Sequence, residues 1–311
     1  MIAGILEAIA VGGMFVALVA VCVSWRLPAT PLNGPFLAVL LSSMASLLVS
    51  IDPGGSLARV ALLGGGVGVY VVALRYRGSA WIAQGLGWAV AGAVLAGALS
   101  GTARPSGLLP NPNTAGSTLL LVSSWLWPLH LLPTALTSRG AFLAAVSVEL
   151  IKVRRHLSRP AVLVSCAMFL ILVVGLGLVR TSTIEKRLGT WREALDLFGR
   201  RPLLGWGPGT YRDLARNEPG HVHADNLPLT LAAEGGLLSL LAWSWMLWSV
   251  LRTISQSGAA SRWSVLAWIV HQVVDCTLFF PVVLALLAVV LAEVVNESSP
   301  MGSKVAARAV S

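Results

Sequence analysis

Long apolar runs with one charged residue at most constrain this chain more than any other feature. They cover about 2–24, 35–51, 58–74, 80–100, 116–137, 160–179 and 227–251. A helix of roughly 20 apolar residues crosses the hydrocarbon core of a bilayer, where each backbone N–H and C=O must be paired within the segment. Charged residues make up 11% of the 311-residue chain, against about 25% in soluble domains. Most of its surface is therefore expected to face lipid. The start, "MIAGILEAIAVGGMFVALVAVCVSW", has no basic n-region and stays apolar too long for a cleaved signal, so it reads as a retained first span.

The expectation is an all-α polytopic membrane protein of about nine to ten transmembrane or re-entrant helices, forming one integral membrane domain over 1–311. Segment 140–151 is short. The last apolar block, 263–295, is too long for one span and is interrupted at Phe279–Pro281, so two short helices joined at Pro281 are expected. Residues 300–311 read as a flexible tail.

Lysine and arginine outnumber aspartate and glutamate by 22 to 13, a net charge of +9. No basic run interleaved with aromatics points to nucleic acid. The basic residues sit between apolar segments, where they orient spans or meet phosphate-bearing lipids. "KVRRHLSR", Lys152–Arg159, reads as a cytoplasmic loop, which places 180–226 outside. "WR" at Trp25–Arg26 and "RYR" at Arg75–Arg77 also look cytoplasmic; with Ser138–Arg139 outside, 116–137 must then turn back on itself as a hairpin. If it is one span, the helices before it invert. Cys22, Cys166 and Cys276 lie in apolar runs, with no CxxC metal pattern.

The outer loop holds most of the polar chemistry. Ile184, Leu188, Trp191, Leu195 and Phe198 recur at helical spacing, opposite Arg187, Glu193, Asp196 and Arg200, which predicts an amphipathic helix along the membrane interface. Gly199 is expected to cap it. Gly205, Gly207 and Gly209 alternate, a pattern for tight turns or close backbone approach; no Gly-Lys-Ser/Thr follows, which excludes a P-loop. Asp225 or Asn226 is expected to cap a helix with Pro228 in its first turn. His223 would then lie just outside a helix N-terminus, where anions are favoured, as a candidate general base. His221-x-His223-x-Asp225 is also a possible metal set. His271, Gln272 and Asp275 form an intramembrane polar cluster, read as a His271–Asp275 pair.

In order, "NPN" at Asn111–Asn113, "TSRGA" at Thr137–Ala141, Arg187-x-x-x-Trp191 followed by "PLLGWGPGTY", and the His223 region followed by "AAEGGL" at Ala232–Leu237 resemble the O-antigen ligase, O-antigen polymerase and protein O-oligosaccharyltransferase family. The resemblance covers about 105–285. It implies a metal-independent, inverting transfer of a glycan from undecaprenyl pyrophosphate to an acceptor hydroxyl at the outer face of the cytoplasmic membrane, without a cofactor. The acceptor is a lipid, glycan or protein. It also implies that Arg139 and Arg187 hold the pyrophosphate and that His223 activates the acceptor, with His221 as the competing base. The same motifs imply substrate contacts at Trp191, Gly207, Gly209, Tyr211, His221, Asn226 and Glu234. The absence of an Asp-x-Asp motif accords with arginines in place of a metal. A membrane transporter or channel for a glycan or small anion is the rival, with polar groups near the midplane around His271 and Asp275. A non-catalytic scaffold is the third reading.

Overall fold

The computed structural model describes residues 2–24, 28–76, 79–154, 181–215 and 222–298. Among them are thirteen helices and no strand. Four are long and apolar enough to cross a membrane: α3 (Pro53–Arg75), α4 (Ser79–Leu99), α11 (Leu227–Gln256) and α13 (Pro281–Ser298). Three more apolar segments form shorter helices: α2 (Asn33–Leu47), α8 (Arg139–Val153) and α12 (Ser261–Gln272) have 15, 15 and 12 residues. Segment 160–179 and the tail 300–311 lie outside the described residues. The first helix, α1 (Ile2–Ser24), packs with α13 around α3, and α2 packs on α11.

Segment 116–137 is not one span. It divides into α5 (Pro112–Leu121), α6 (Ser123–Leu126) and α7 (Leu131–Thr137). At the base of this hairpin Gly116 meets the α7–α8 corner, where an added Cβ would stand 2.8 Å from the Cβ atoms of Ser138 and Ala141. At its tip, Trp127 donates to Glu149 Oε2 at 3.0 Å, well along α8. Both ends of the hairpin therefore lie on one face, with Asn111 and Arg139. That face also carries the N-terminus of α3, while Arg75, Lys152, Arg154, Arg252 and Arg262 stand at the opposite ends of their helices or just beyond them.

Four helices that start on the first face have polar N-caps. Asp52, Asn111, Ser138 and Asn226 accept from Gly55, Thr114, Ala141 and Leu229 N–H groups at 3.0, 2.8, 3.3 and 2.9 Å. Proline follows at N1 or N2 of α3, α5 and α11, where its missing N–H costs nothing. Asn111 and Pro112 of "NPN" are thus a helix start.

α11 is broken at Gly236, whose φ is +63°. Residues 202–207 fill the break as an irregular segment that turns over 202–204. Trp206 and Gly207 donate to the Ala233 and Glu234 carbonyls at 3.2 and 2.9 Å, and Leu237 and Leu238 donate to Pro202 and Leu203 at 2.7 and 3.2 Å. Ser46 Oγ, from α2, reaches the Leu204 and Glu234 carbonyls at 2.6 and 2.8 Å. An interrupted helix in apolar surroundings needs such partners, since no water replaces the lost bonds.

The amphipathic helix is α9 (Thr181–Arg200), which continues through Gly199 instead of ending there. Its buried face is Thr190, Glu193, Ala194 and Leu197, while Leu188 and Leu195 are exposed. Glu193, expected on the solvated face, is therefore on the packed one. The reason is α11: α9 docks there with Thr190, Glu193, Ala194 and Leu197 buried, while Leu188 and Leu195 of the apolar stripe stay exposed and Trp191 and Phe198 are half-buried. The expected break at Pro281 is present, as α12 ends at Gln272 and Pro281 opens α13.

Candidate active site

Three connections meet in an open cavity of about 410 Å³ on the face with the capped N-termini. The α4–α5 connection and the start of α5 bring Arg104, Asn111 and Asn113. The segment before α11 brings His223 and Asp225, and the α12–α13 connection brings Asp275, Thr277 and Phe280. α5 and α11 point their N-termini at it and α13 starts beside it, so partial positive charge borders the space.

His223 is positioned through its neighbour. Ala224 is buried; its N–H donates to Thr230 Oγ1 at 3.1 Å and its carbonyl accepts from Thr190 Oγ1 at 3.2 Å. Two helices, α9 and α11, thus clamp one residue and aim the next. Asp225 takes a φ of +50°, a left-handed conformation that Asn and Asp tolerate best among non-glycine residues, and turns the chain into the helix that Asn226 caps. His223 Nδ1 lies 3.6 Å from Asp225 Oδ1, and the ring meets Phe280 edge-on at 6.4 Å.

Arg187 reaches the same region from α9. It donates to the Val274 carbonyl, and its Nη2 stands 3.9 Å from Asp275 Oδ2. Asp275 is buried and also stands 3.9 Å from His271 Nε2; its Oδ1 accepts from Cys276 N at 2.8 Å. Below, Ser117 Oγ bonds to His271 Nδ1 at 2.9 Å and to Thr277 Oγ1 at 2.5 Å. Gln272 exchanges two bonds with Thr277, at 2.9 and 3.0 Å. Buried polar groups of this kind stay ordered only when mutually bonded, so the network fixes the turn that carries Asp275. Asn226 Nδ2 holds the turn from the other side, donating to the Val273 carbonyl at 2.7 Å.

Arg139 is exposed at the first turn of α8. Its neighbour Gly140 packs on the turn: an added Cβ would lie 3.2 Å from Val274 Cγ2 and 3.3 Å from His271 Cδ2. The structure thus gathers His223, Arg187 and Asn226 around the 273–277 turn and puts Arg139 at its edge. Trp191 is half-buried one turn beyond Arg187 on α9. The other expected substrate contacts form a separate group. Gly207 abuts Ser50, Gly209 abuts Arg59, and Tyr211 is buried with its hydroxyl on the Thr190 carbonyl at 3.0 Å. Burial, then the nearby Glu193 and Asp225, push the Tyr211 phenol up, so it remains a donor. Glu234 is buried and accepts from Tyr211 N at 3.4 Å. None of these four is in the cavity lining; they hold the inserted segment in the broken helix. His221 lies outside the described residues. No metal-binding cluster is present among the described residues.

Arg104 escaped the sequence reading. Its only signal was a lone arginine in a glycine- and proline-containing connection just before "NPN". Thr277 escaped too, since a threonine in an apolar block carries no chemical signature.

Compared with protein-family models and with curated proteins, the chain matches none.

Proposed function

We propose that this chain transfers a glycan from a polyprenyl diphosphate, with undecaprenyl diphosphate as the expected carrier, to an acceptor hydroxyl. The observation that carries this reading is the meeting of His223, its partner Asp225, and Arg104 in one cavity, with Arg187 held against the cavity's own Asp275. A base beside fixed guanidinium groups is what displacement of a phosphate leaving group needs.

His223 takes the proton from the acceptor hydroxyl, whose oxygen attacks the anomeric carbon. The bond from that carbon to the diphosphate oxygen breaks, its electron pair leaves with the polyprenyl diphosphate, and the anomeric configuration inverts. Arginine and helix N-termini offset the charge that develops on the leaving oxygen. Arg75, Lys152, Arg154, Arg252 and Arg262 mark the opposite face, and the positive-inside tendency assigns that face to the cytoplasm; the cavity then opens outside. The transporter reading looks to His271 and Asp275. Both belong to the network beneath this cavity, and Asp275 is part of its lining, so they support the same site.

Purified protein in liposomes, given a glycan on polyprenyl diphosphate and a panel of lipid, glycan and peptide hydroxyls, is expected to form one inverted product. One free polyprenyl diphosphate should appear per transfer, unaffected by EDTA. Retained configuration, or the lack of transfer to every acceptor class, would contradict the proposal.

A further inference from the structure

The turn that walls the cavity through Asp275 and Thr277 also closes the end of a second space. This is a groove of about 190 Å³ between α11, α12 and α13. Asn226 donates to the Val273 carbonyl at 2.7 Å, and Leu227, Pro228, Gln272 and Val273 around that bond all line the groove. Site and groove therefore share one wall.

From that wall the groove leads away from the site. Its far end is at Val250 and Val265, near the short connection from α11 to α12, where Arg252 and Arg262 mark the opposite face. Val265 to Val273 amounts to about 12 Å of rise along α12. On α11 the lining residues Leu240, Ser244 and Leu247 follow one another at steps of four and three, a single helix face. Ser244 and Leu247 are exposed, so the groove is open along its side. The lining is apolar apart from Ser244 and Gln272, and the Gln272 amide is engaged at both ends by Thr277, at 2.9 and 3.0 Å. A phosphate or a sugar meets no charged partner in this lining; a hydrocarbon chain needs none.

We propose that the groove seats the first isoprene units of the donor's polyprenyl chain. The proposal rests on the transferase reading above and deepens it. A diphosphate in the cavity fixes where the chain begins, and the groove is an apolar passage that begins at the same wall. Bilayer tails are as apolar as this lining, so drawing the chain out of lipid gains little by itself; the gain is close packing. That packing sets the direction in which the chain leaves the diphosphate, and so helps to align the bond to be broken. Ser244 and Leu247 are then specificity-determining positions for the carrier, although neither touches the reacting atoms.

The test uses the full chain in nanodiscs and a polyprenyl diphosphate that carries a photoreactive diazirine in its first isoprene units. Labelling is expected within 240–250 and 265–273. Unlabelled undecaprenyl diphosphate should compete it away, and excess phosphatidylglycerol should not. Ser244→Phe pushes a ring into the groove from an exposed position and leaves the packed core alone. It should abolish most of that labelling and raise KM for the undecaprenyl donor by about tenfold, with kcat near wild type. Leu247→Trp, on the same face, should act alike and decides the matter if Ser244→Phe does not fold. Leu241→Phe is the control, exposed on the same helix but outside the lining, and should change neither readout. Labelling spread over other lipid-facing helices, competition by phosphatidylglycerol, or a KM unmoved by both groove variants overturns the groove and leaves the transferase reading standing. Absence of specific labelling together with absence of transfer by the wild type overturns both.

Discussion

His223→Ala is expected to lower glycan transfer by about 10²–10⁴-fold, the usual contribution of a positioned general base, with the fold intact. The side chain is 13% exposed and borders the open cavity, so its loss widens that cavity and leaves the packed helices in place. Its Nδ1 makes no hydrogen bond among the described residues; it stands 3.6 Å from Asp225 Oδ1, and the ring meets the edge of Phe280. What orients the segment is Ala224, gripped by Thr190 and Thr230, and that grip is untouched by the substitution. The loss should therefore appear in the rate at saturating donor, with donor affinity close to wild type. Initial rates beside a thermal unfolding curve separate the two effects. Turnover like that of wild type would remove the proposed base.

Gly236→Ala is expected to have the largest effect on stability, about 3 kcal/mol or more, in the range of backbone strain combined with a buried clash. The residue has φ +63°, and an added Cβ would stand 2.5 Å from the backbone carbon and oxygen of Leu203. No side chain can move aside there. Shifting the inserted segment instead breaks the bonds from Leu237 and Leu238 to Pro202 and Leu203, and displaces the Glu234 carbonyl that Ser46 and Gly207 share. Gly189 is the control, because an added Cβ there meets nothing within 4 Å and alanine favours a helix by up to about 1 kcal/mol. Thermal denaturation in detergent compares them: Gly236→Ala should melt well below wild type and Gly189→Ala at or above it. Near-equal midpoints would refute the insertion of 202–207 into the broken helix.

What the sequence disclosed was mostly local. Asn226 with Pro228 reads as a capped helix start because both rules act within one turn. Pro281 splits the last apolar block because proline cannot continue a helix. The charges flanking 116–137 left a hairpin and a single span both open, and the structure divides the segment into α5, α6 and α7. The misreadings are all tertiary. Glu193 was assigned to solvent by periodicity, yet α9 turns Thr190, Glu193 and Ala194 toward α11; a stripe pattern says which side chains are apolar, not which neighbour arrives. Gly205, Gly207 and Gly209 do mark close backbone approach, but for Gly205 and Gly207 the approaching groups are Glu234 and Ser50. Two motifs far apart in the chain, "PLLGWGPG" and "AAEGG", turn out to be halves of one backbone junction. Arg104 depends on a fold that returns Thr137 to the first turn of α5, which no local pattern announces.

The central claim concerns where a lipid diphosphate sits, and a structure with bound undecaprenyl diphosphate tests it most directly. The diphosphate is expected in the cavity that His223 and Arg104 line, on its Arg187 side and within reach of the His223 ring. Phosphate density at the Arg75 and Lys152 face, or within the membrane away from all three side chains, would contradict it.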